Sequence, residues 1–246
     1  MFGASQLWGK VGRAFLRPVS ERQYARVAAS DRFELDPALV ESLNQWRLLI
    51  EAGPPRSIDF CANKRADVLI FTDGFSADPR DTIVLPDRIG GVIFDRRLMQ
   101  PRQFTEVVPE EIKSRWLSRK TQIIPVEMVA TIVALETFSL RLFRADLFLF
   151  TDSEVVEATL VKGYSSREDV CLLVSVFWDR VRELQCRVFI DRVATDSNPS
   201  DAPSRNDLLT GEKAGWVTID AVWPPALDRG TSSQHCDQKR SYHEGA

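Results

Sequence analysis

The sequence predicts an α/β domain in which a mixed β-sheet is flanked by helices. Residues 66–205 alternate between apolar runs of strand length and amphipathic runs of helix length. Two of the apolar runs, residues 66–74 and 145–153, are near copies: each has four large apolar residues, then Thr-Asp and a small residue. The predicted order β-β-β-α-β-α-α-β is typical of one sheet with helices packed against it.

The chain begins with residues 1–65, which we interpret as an appendage and a linker. Asp36 and Pro37 are typical of a helix start, because an aspartate caps the first turn and proline suits the first helical position. Apolar residues then recur at helical spacing as far as the Gly-Pro-Pro at residues 53–55. This amphipathic helix must pack on the main domain or on a missing upstream part, and residues 54–65 are predicted to be a linker.

Five strands are predicted in the central region. The matching runs at residues 66–74 and 145–153 are unbroken and apolar, which suits strands buried on both faces of a sheet. Residues 89–95 and 103–108 are predicted to form an antiparallel meander with the first strand. Residues 186–193 form the last predicted strand. Together these runs predict one mixed sheet.

Three helices are predicted between and after these strands. The first begins at Pro125 and runs to about Phe143, the second covers residues 154–162, and the third covers about 167–184. Residues 206–246 are polar and contain Pro, Gly and Ser, so we expect a largely disordered tail. The chain is therefore divided into the appendage, a domain over residues 66–205 and this tail.

Composition and charge exclude several classes of protein. No run approaches the roughly 18 apolar residues of a membrane span, and the first residues lack the apolar core of a secretory signal. We therefore expect an intracellular protein with no membrane partner. The four cysteines include no Cys-x-x-Cys pair, which argues against a zinc site or a disulfide framework. Residues 66–205 carry 18 basic and 22 acidic groups, the wrong sign for a general nucleic-acid binder.

An aspartate ends each of the two matching strands. If these strands are parallel neighbours in the register that the match suggests, Asp73 and Asp152 lie side by side at their carboxyl ends, about 4.8 Å apart. Ligands of open α/β sheets bind at that end. Taken alone, Asp73 could close a turn and Asp152 could cap a helix. Capping does not require both strand ends to match, however, so we interpret the pair as part of a metal site.

Two further carboxylates are candidates. Glu127 falls in the predicted first turn of its helix, on the face that carries Ala130 and Ala134, small residues that allow a close approach to the sheet. The helix dipole alone would favour an acid there, but a carboxylate buried without a partner would cost several kcal/mol or be protonated. Asp201 follows the last strand, so a short turn would bring it to the same end of the sheet. A turn-stabilising role is the alternative for Asp201.

Four carboxylates without Cys or His suit Mg²⁺ or Mn²⁺. The two histidines, His235 and His243, lie in the tail. Four carboxylates could hold two ions, and two ions about 4 Å apart can activate a water and stabilise the leaving oxygen in phosphodiester cleavage. Metal ions would also explain how an acidic domain approaches a polyanion.

Residues 66–205 resemble the ribonuclease H domain of retroelement reverse transcriptases. The resemblance rests on the Thr-Asp end of the first strand, on Gln-Ile-Ile-Pro-Val-Glu at residues 122–127, on Val-Lys-Gly-Tyr-Ser at 161–165, and on Asn-Pro-x-Asp-x-Pro-Ser-Arg at 198–205. The family's order of Asp, Glu, Asp and Asp matches Asp73, Glu127, Asp152 and Asp201. It implies a ribonuclease H-like five-stranded mixed sheet with the first, fourth and fifth strands parallel.

The resemblance also implies hydrolysis of the RNA strand of an RNA–DNA hybrid with two divalent ions. Asp73 and Asp152 would be the central ligands, Glu127 a ligand that also positions water, and Asp201 the ligand of the second ion. The expected substrate contacts are backbone approach to the hybrid at Gly74 and Ser76, and phosphate contacts from Lys162 and Arg205.

The chain also departs from the family. No Tyr-x-Asp-Asp motif occurs, so the polymerase palm is absent. The catalytic-loop histidine that many relatives carry before the last acid has no counterpart here. This difference concerns the efficiency of product release rather than metal binding. The helix at residues 37–52 resembles the stretch after a polymerase thumb, so a polymerase portion of the parent element is a candidate partner. The alternative is a catalytically inactive scaffold or a remnant of a decayed element. Another nuclease or an integrase of the same superfold is disfavoured, because the integrase pattern needs its Glu late in the chain.

Overall fold

The structure, a computed structural model, describes residues 8–24, 35–53, 65–77 and 85–228. Its centre is a six-stranded mixed sheet with the order β5-β4-β1-β2-β3-β6. The strands are β1 (Asp67–Phe75), β2 (Arg88–Asp95), β3 (Arg102–Val107), β4 (Asp146–Thr151), β5 (Arg187–Arg192) and β6 (Val217–Thr218). β1 runs antiparallel to β2 and parallel to β4, β2 is antiparallel to β3, and β5 is parallel to β4.

The helices vary in length from single turns to sixteen residues. They are α1 (Arg17–Tyr24), α2 (Pro37–Ala52), α3 (Glu110–Lys113), α4 (Ile123–Thr137), α5 (Ser139–Leu142), α6 (Glu154–Lys162), α7 (Glu168–Glu183), α8 (Asp201–Ser204), α9 (Leu209–Lys213) and α10 (Pro225–Asp228). Short 3-10 turns cover Arg13–Leu16 and Thr195–Ser197.

The strand order confirms the predicted fold class. The first, fourth and fifth strands are parallel neighbours, and the second and third form an antiparallel meander with the first. This is the ribonuclease H-like arrangement that the sequence resemblance implied. The sheet has six strands rather than five, because Val217 and Thr218 pair in parallel with Arg102 and Gln103 of β3.

The core forms between one face of the sheet and two long helices. α4 packs directly on β1 and β2, and α7 packs on the outer side of α4. Ten of the fifteen residues of α4 are buried, because the helix lies between the sheet and α7. The α2 helix is capped by Asp36 as predicted, and it contacts the 3-10 turn Arg13–Leu16, which in turn packs on α7. The appendage is thus joined to the main domain through that turn.

The first of the three predicted helices begins two residues earlier than predicted. α4 starts at Ile123 instead of Pro125, so Glu127 lies in the second turn rather than the first. Proline is tolerated in third position because the first four amides of a helix have no partner within the helix. α4 also ends at Thr137, where Phe138 leaves helical geometry, and the short α5 replaces the predicted extension to Phe143.

The prediction that residues 206–246 form a largely disordered tail is wrong for residues 206–228. This segment contains α9, β6 and α10, and Gln103 of β3 anchors it by donating hydrogen bonds to the Leu208 carbonyl at 2.9 Å and the Thr218 hydroxyl at 3.1 Å. The Leu227 side chain is buried against the main core. Residues 229–246 and the predicted linker at 54–64 lie outside the described residues.

Across the described ranges, each helix is too short or too polar to span a bilayer.

Candidate metal site

The two matching strands place their aspartates side by side. β1 and β4 pair in parallel from Asp67 opposite Asp146 to Thr72 opposite Thr151. This is the register that the sequence match predicted, and its continuation brings Asp73 beside Asp152. The Asp73 side chain is buried, whereas Asp152 is partly accessible.

Glu127 reaches this pair because α4 lies close to the end of β1. Gly74 makes the approach possible: a Cβ atom at this residue would lie 2.7 Å from the Glu127 amide nitrogen and 2.9 Å from its Cα. No side chain would fit between strand and helix there. The predicted orientation of Glu127 toward the sheet is therefore observed.

Asp73, Glu127 and Asp152 form one compact group of carboxylates. Each residue contributes a carboxylate oxygen, and the three oxygens lie within 4.8 Å of one another. Burial, together with the charges of Asp152 and Asp201, raises the pKa of Asp73 to about 7. Burial and the charges of Asp73 and Asp152 likewise raise the pKa of Glu127 to about 8. Without a cation, the site therefore favours protonated carboxyl groups near neutral pH.

Two serine hydroxyls contact the group. Ser204 Oγ donates a hydrogen bond to Asp73 Oδ2, and the Ser153 side chain hydrogen-bonds to Glu127. Both bonds lower the pKa of the carboxyl group that they reach, against the larger effect of burial. Neither serine was predicted from the sequence to be part of the site. Their positions, directly after Asp152 and within the Pro-Ser-Arg ending of the last motif, were the available signals.

Asp152 supplies the observation that best fits a cation. Its Oδ1 atom is buried and has no hydrogen-bond partner among the described residues. An unsatisfied buried carboxylate oxygen is costly, and a divalent cation would satisfy it. Within the part of the chain that the structure describes, these three carboxylates converge without nitrogen or sulfur ligands, which matches the preference of Mg²⁺ and Mn²⁺ for oxygen.

Asp201 lies near the group without joining it. Its charge contributes to the raised pKa of Asp73, but its Oδ1 accepts a hydrogen bond from Arg205 Nε at 2.9 Å. The Arg205 guanidinium also lies over the Phe75 ring, 5.3 Å from the ring centre. The predicted phosphate-binding side chain therefore has an ion pair and a ring contact within the protein.

The other predicted substrate contacts are dispersed. Gly74 faces the backbone of Glu127, and Ser76 lies in the loop just beyond β1. Lys162 is the exposed last residue of α6. Since α6 begins beside Asp152 and has nine residues, Lys162 lies about 13 Å along the helix axis from the carboxylates. Contact of these residues with a substrate stays a prediction.

Searches against known proteins returned structural likeness only. No family model and no curated protein matches the chain. The N-terminal RNase H domain of Rv2228c from Mycobacterium tuberculosis superposes with a TM-score of 0.42 and 13% identity, covering 61% of this chain and 99% of that one. RNase H1 from the archaeon Halobacterium salinarum NRC-1 superposes with a TM-score of 0.40 and 22% identity, covering 58% of this chain and 98% of that one.

The prototype foamy virus protease-reverse transcriptase gives a TM-score of 0.34 and 10% identity, covering 78% of this chain and 28% of that one. This chain therefore spans less than a third of the viral protein's length. Likeness this distant carries no argument about activity. The ribonuclease H-like fold of this chain rests on its own strand order and on the register of β1 with β4.

Proposed function

We propose that this protein is a metal-dependent ribonuclease H-type nuclease that hydrolyses the RNA strand of RNA–DNA hybrids. The observation that carries the proposal is the convergence of Asp73, Glu127 and Asp152 on one point, with carboxylate oxygens within 4.8 Å of one another. The unpartnered Oδ1 of Asp152 supports a cation at that point. Mg²⁺ or Mn²⁺ bound there would supply Lewis-acid activation of the scissile phosphate and of an attacking water.

Each carboxylate has a distinct role in this proposal. Asp73 and Asp152 are the central ligands, because Asp73 lies on β1 and Asp152 directly follows the neighbouring parallel strand β4. Glu127 approaches from α4 and is suited to bind the cation and to orient water, because the close contact at Gly74 brings its carboxylate to those of Asp73 and Asp152. Asp201 is the proposed ligand of a second ion, and it must then exchange its bond with Arg205 for the ion.

The proposed origin is a retroelement reverse transcriptase, with a polymerase portion of the parent element as a candidate partner. This part of the proposal rests on the sequence motifs at residues 122–127 and 198–205 and on the helix α2 that precedes the domain. Gly74, Ser76, Lys162 and Arg205 remain the proposed contacts with the hybrid.

The test is cleavage of a labelled RNA–DNA hybrid in Mg²⁺ by the wild type and by Asp73→Asn. The variant keeps the shape of the side chain but removes its charge, so we expect a folded protein without cleavage. Asp191→Asn is the matched control, because Asp191 is an exposed aspartate of β5 outside the carboxylate group. Cleavage by Asp73→Asn at the wild-type rate would contradict the proposal.

One observation favours a second candidate, a domain of the same fold without catalytic activity. Asp201 is paired with Arg205 and stands outside the carboxylate group. An inactive scaffold would share the four carboxylates without forming a working metal site. Thermal unfolding during a Mg²⁺ titration separates the two, because a cation that binds the folded state raises the unfolding temperature by mass action. A titration without a shift would favour the scaffold.

A further inference from the structure

We propose that Ser204 is a positioning residue that holds Asp73 in the orientation required for metal binding. The inference rests on the proposed function, since it assigns a role at the same site. Ser204 is fully buried, and its hydroxyl donates to Oδ2 of Asp73. The two residues are far apart in sequence and meet only because α8 lies over the end of β1.

The hydroxyl proton of Ser204 has two acceptors within reach. One is the Asp73 carboxylate, and the other is the main-chain carbonyl of Asp201, at 2.8 Å. A hydroxyl can donate to only one acceptor at a time, and hydrogen bonds to a charged acceptor are roughly twice as strong as neutral ones. The bond to Oδ2 of Asp73 is therefore the stronger of the two, and it restricts rotation of the carboxylate.

The sheet provides a place for Ser204 directly beside Asp73. Gly90 of β2 is the cross-strand partner of Asp73. A Cβ atom at Gly90 would lie 2.4 Å from the Ser204 amide nitrogen and 2.8 Å from the Pro203 carbonyl carbon. The absence of a side chain at this one strand position therefore lets the backbone of α8 rest on the sheet next to the metal ligand.

A second hydrogen bond attaches the segment that carries Ser204 to β1, at Thr72, one residue before Asp73. The buried Asn198 side chain donates to the Thr72 carbonyl at 3.2 Å. Its own oxygen accepts hydrogen bonds from the Ser200 amide at 3.2 Å and hydroxyl at 2.6 Å. The segment 198–204 is thus attached to β1 twice, through the main-chain carbonyl of Thr72 and through the side chain of Asp73. These two hydrogen bonds hold Ser204 beside Asp73.

This arrangement assigns separate tasks to neighbouring residues of the last motif. Asp201 is the proposed ligand of a second ion, Asn198 attaches the loop to β1, and Ser204 orients Asp73. A hydrogen bond that orients a metal ligand is typically worth about 10- to 100-fold in metal affinity. Removal of the Ser204 hydroxyl should therefore weaken metal binding without removing any ligand.

The experiment is calorimetric titration of Mn²⁺ into the whole protein, as the wild type, Ser204→Ala and Ser200→Ala. Ser200 is the matched control: it is an equally buried serine of the same loop, and its hydroxyl reaches Asn198 instead of a carboxylate. We expect Ser204→Ala to bind Mn²⁺ about 10- to 100-fold more weakly and Ser200→Ala to bind it nearly as the wild type does. The affinity for a hybrid in EDTA should be unchanged in both variants.

Gly90→Ala is an independent test, because an added methyl must displace α8 and should weaken Mn²⁺ binding while Ser204 is still present. Wild-type affinity in Ser204→Ala would overturn the inference and leave the proposed function standing. An equal loss in Ser200→Ala would assign the effect to loop packing and would also overturn it. Absence of Mn²⁺ binding by the wild type would overturn the proposed function, and the inference with it.

Discussion

Gly74 on strand β1 lies directly against the backbone of Glu127 on helix α4, so close that a Cβ atom would approach the Glu127 amide nitrogen to 2.7 Å. Gly74 directly follows Asp73 on β1. The end of this strand therefore carries one proposed metal ligand, Asp73, and also leaves the space that lets a second proposed ligand, Glu127, come close to it. The distance between strand and helix at this point therefore determines whether Glu127 can join the two aspartates.

Gly74→Ala should destabilise the fold and weaken the metal site together. Forcing an extra methyl into a well-packed contact costs about 1–3 kcal/mol, and the displaced helix would carry Glu127 away from Asp73. Urea denaturation and Mn²⁺ titration measure the two effects. Ser76→Ala, two residues further along, is the control and should change stability by less than about 0.5 kcal/mol. Wild-type stability in Gly74→Ala would contradict the close approach.

The metal-free protein should lose stability as the pH rises. The pKa values of Asp73 and Glu127 are raised to about 7 and about 8 in the folded state, so both groups bind protons more tightly folded than unfolded. Their stabilising effect is complete below the unfolded pKa values and is lost as the pH rises through the folded ones. Urea unfolding in EDTA should show a loss on the order of a few kcal/mol between about pH 5 and about pH 8.5.

The double variant Asp73→Asn/Glu127→Gln removes both titrating groups and is the control for this pH dependence. It should show a flatter stability profile than the wild type over the same range. Saturating Mg²⁺ should also flatten the wild-type profile, because the cation binds the ionised carboxylates. An equally steep profile in the double variant would assign the pH dependence to other groups.

Asp201→Asn should separate binding of the first ion from cleavage. Asp201 stands outside the group formed by Asp73, Glu127 and Asp152, so the variant should keep the stabilisation by Mg²⁺, which reaches about 2.7 kcal/mol at a hundredfold excess over Kd. Cleavage should fall sharply if a second ion is required. Thermal unfolding and hybrid cleavage measured on one preparation make the comparison. Loss of the Mg²⁺ stabilisation would place Asp201 at the first ion instead.

A buried ion pair outside the site stabilises the segment that leads into α4. Asp169 of α7 accepts hydrogen bonds from the Arg119 guanidinium and from the Leu117 amide, the latter at 2.9 Å. Asp169→Ala would leave the largely buried Arg119 charge without this partner, so we expect a loss of about 3–5 kcal/mol in urea denaturation. Asp179→Ala, which breaks the more exposed pair with Arg182 on the same helix, should cost less than about 1 kcal/mol. Similar losses of stability in the two variants would contradict the stabilising role of the Asp169–Arg119 pair.

The strands and the register of β1 with β4 could be predicted because short runs of the sequence mark them. Unbroken apolar runs ended by Thr-Asp mark β1 and β4, and the similarity of the two runs predicted that Thr72 and Thr151 are partners. Helices α6 and α7 were predicted to within a residue for the same reason. The start of α4 was missed, because a proline is compatible with either the first or the third position of a helix.

The segment after residue 205 could not be predicted from its composition. Charged residues, glycines and prolines are interspersed among its apolar residues, and only some of the apolar side chains, such as Ile219, Trp223 and Leu227, pack on the main core. Trp216 meets Phe94 edge to face, and Leu227 enters the core while its carbonyl accepts a hydrogen bond from Arg115. The partners in these contacts are distant in sequence, so the polar composition of the segment does not reveal them.

The alternation of strands and helices, the parallel register of β1 with β4 and the four candidate carboxylates could all be inferred from the sequence, because they depend on apolar patterns and on residue type. Which carboxylates converge depends on how the elements pack. This packing brought Glu127 to Asp73 through the space at Gly74, and it paired Asp201 with Arg205. It also brought Ser204 to Asp73, a contact between distant residues that depends on how closely α8 can rest on Gly90.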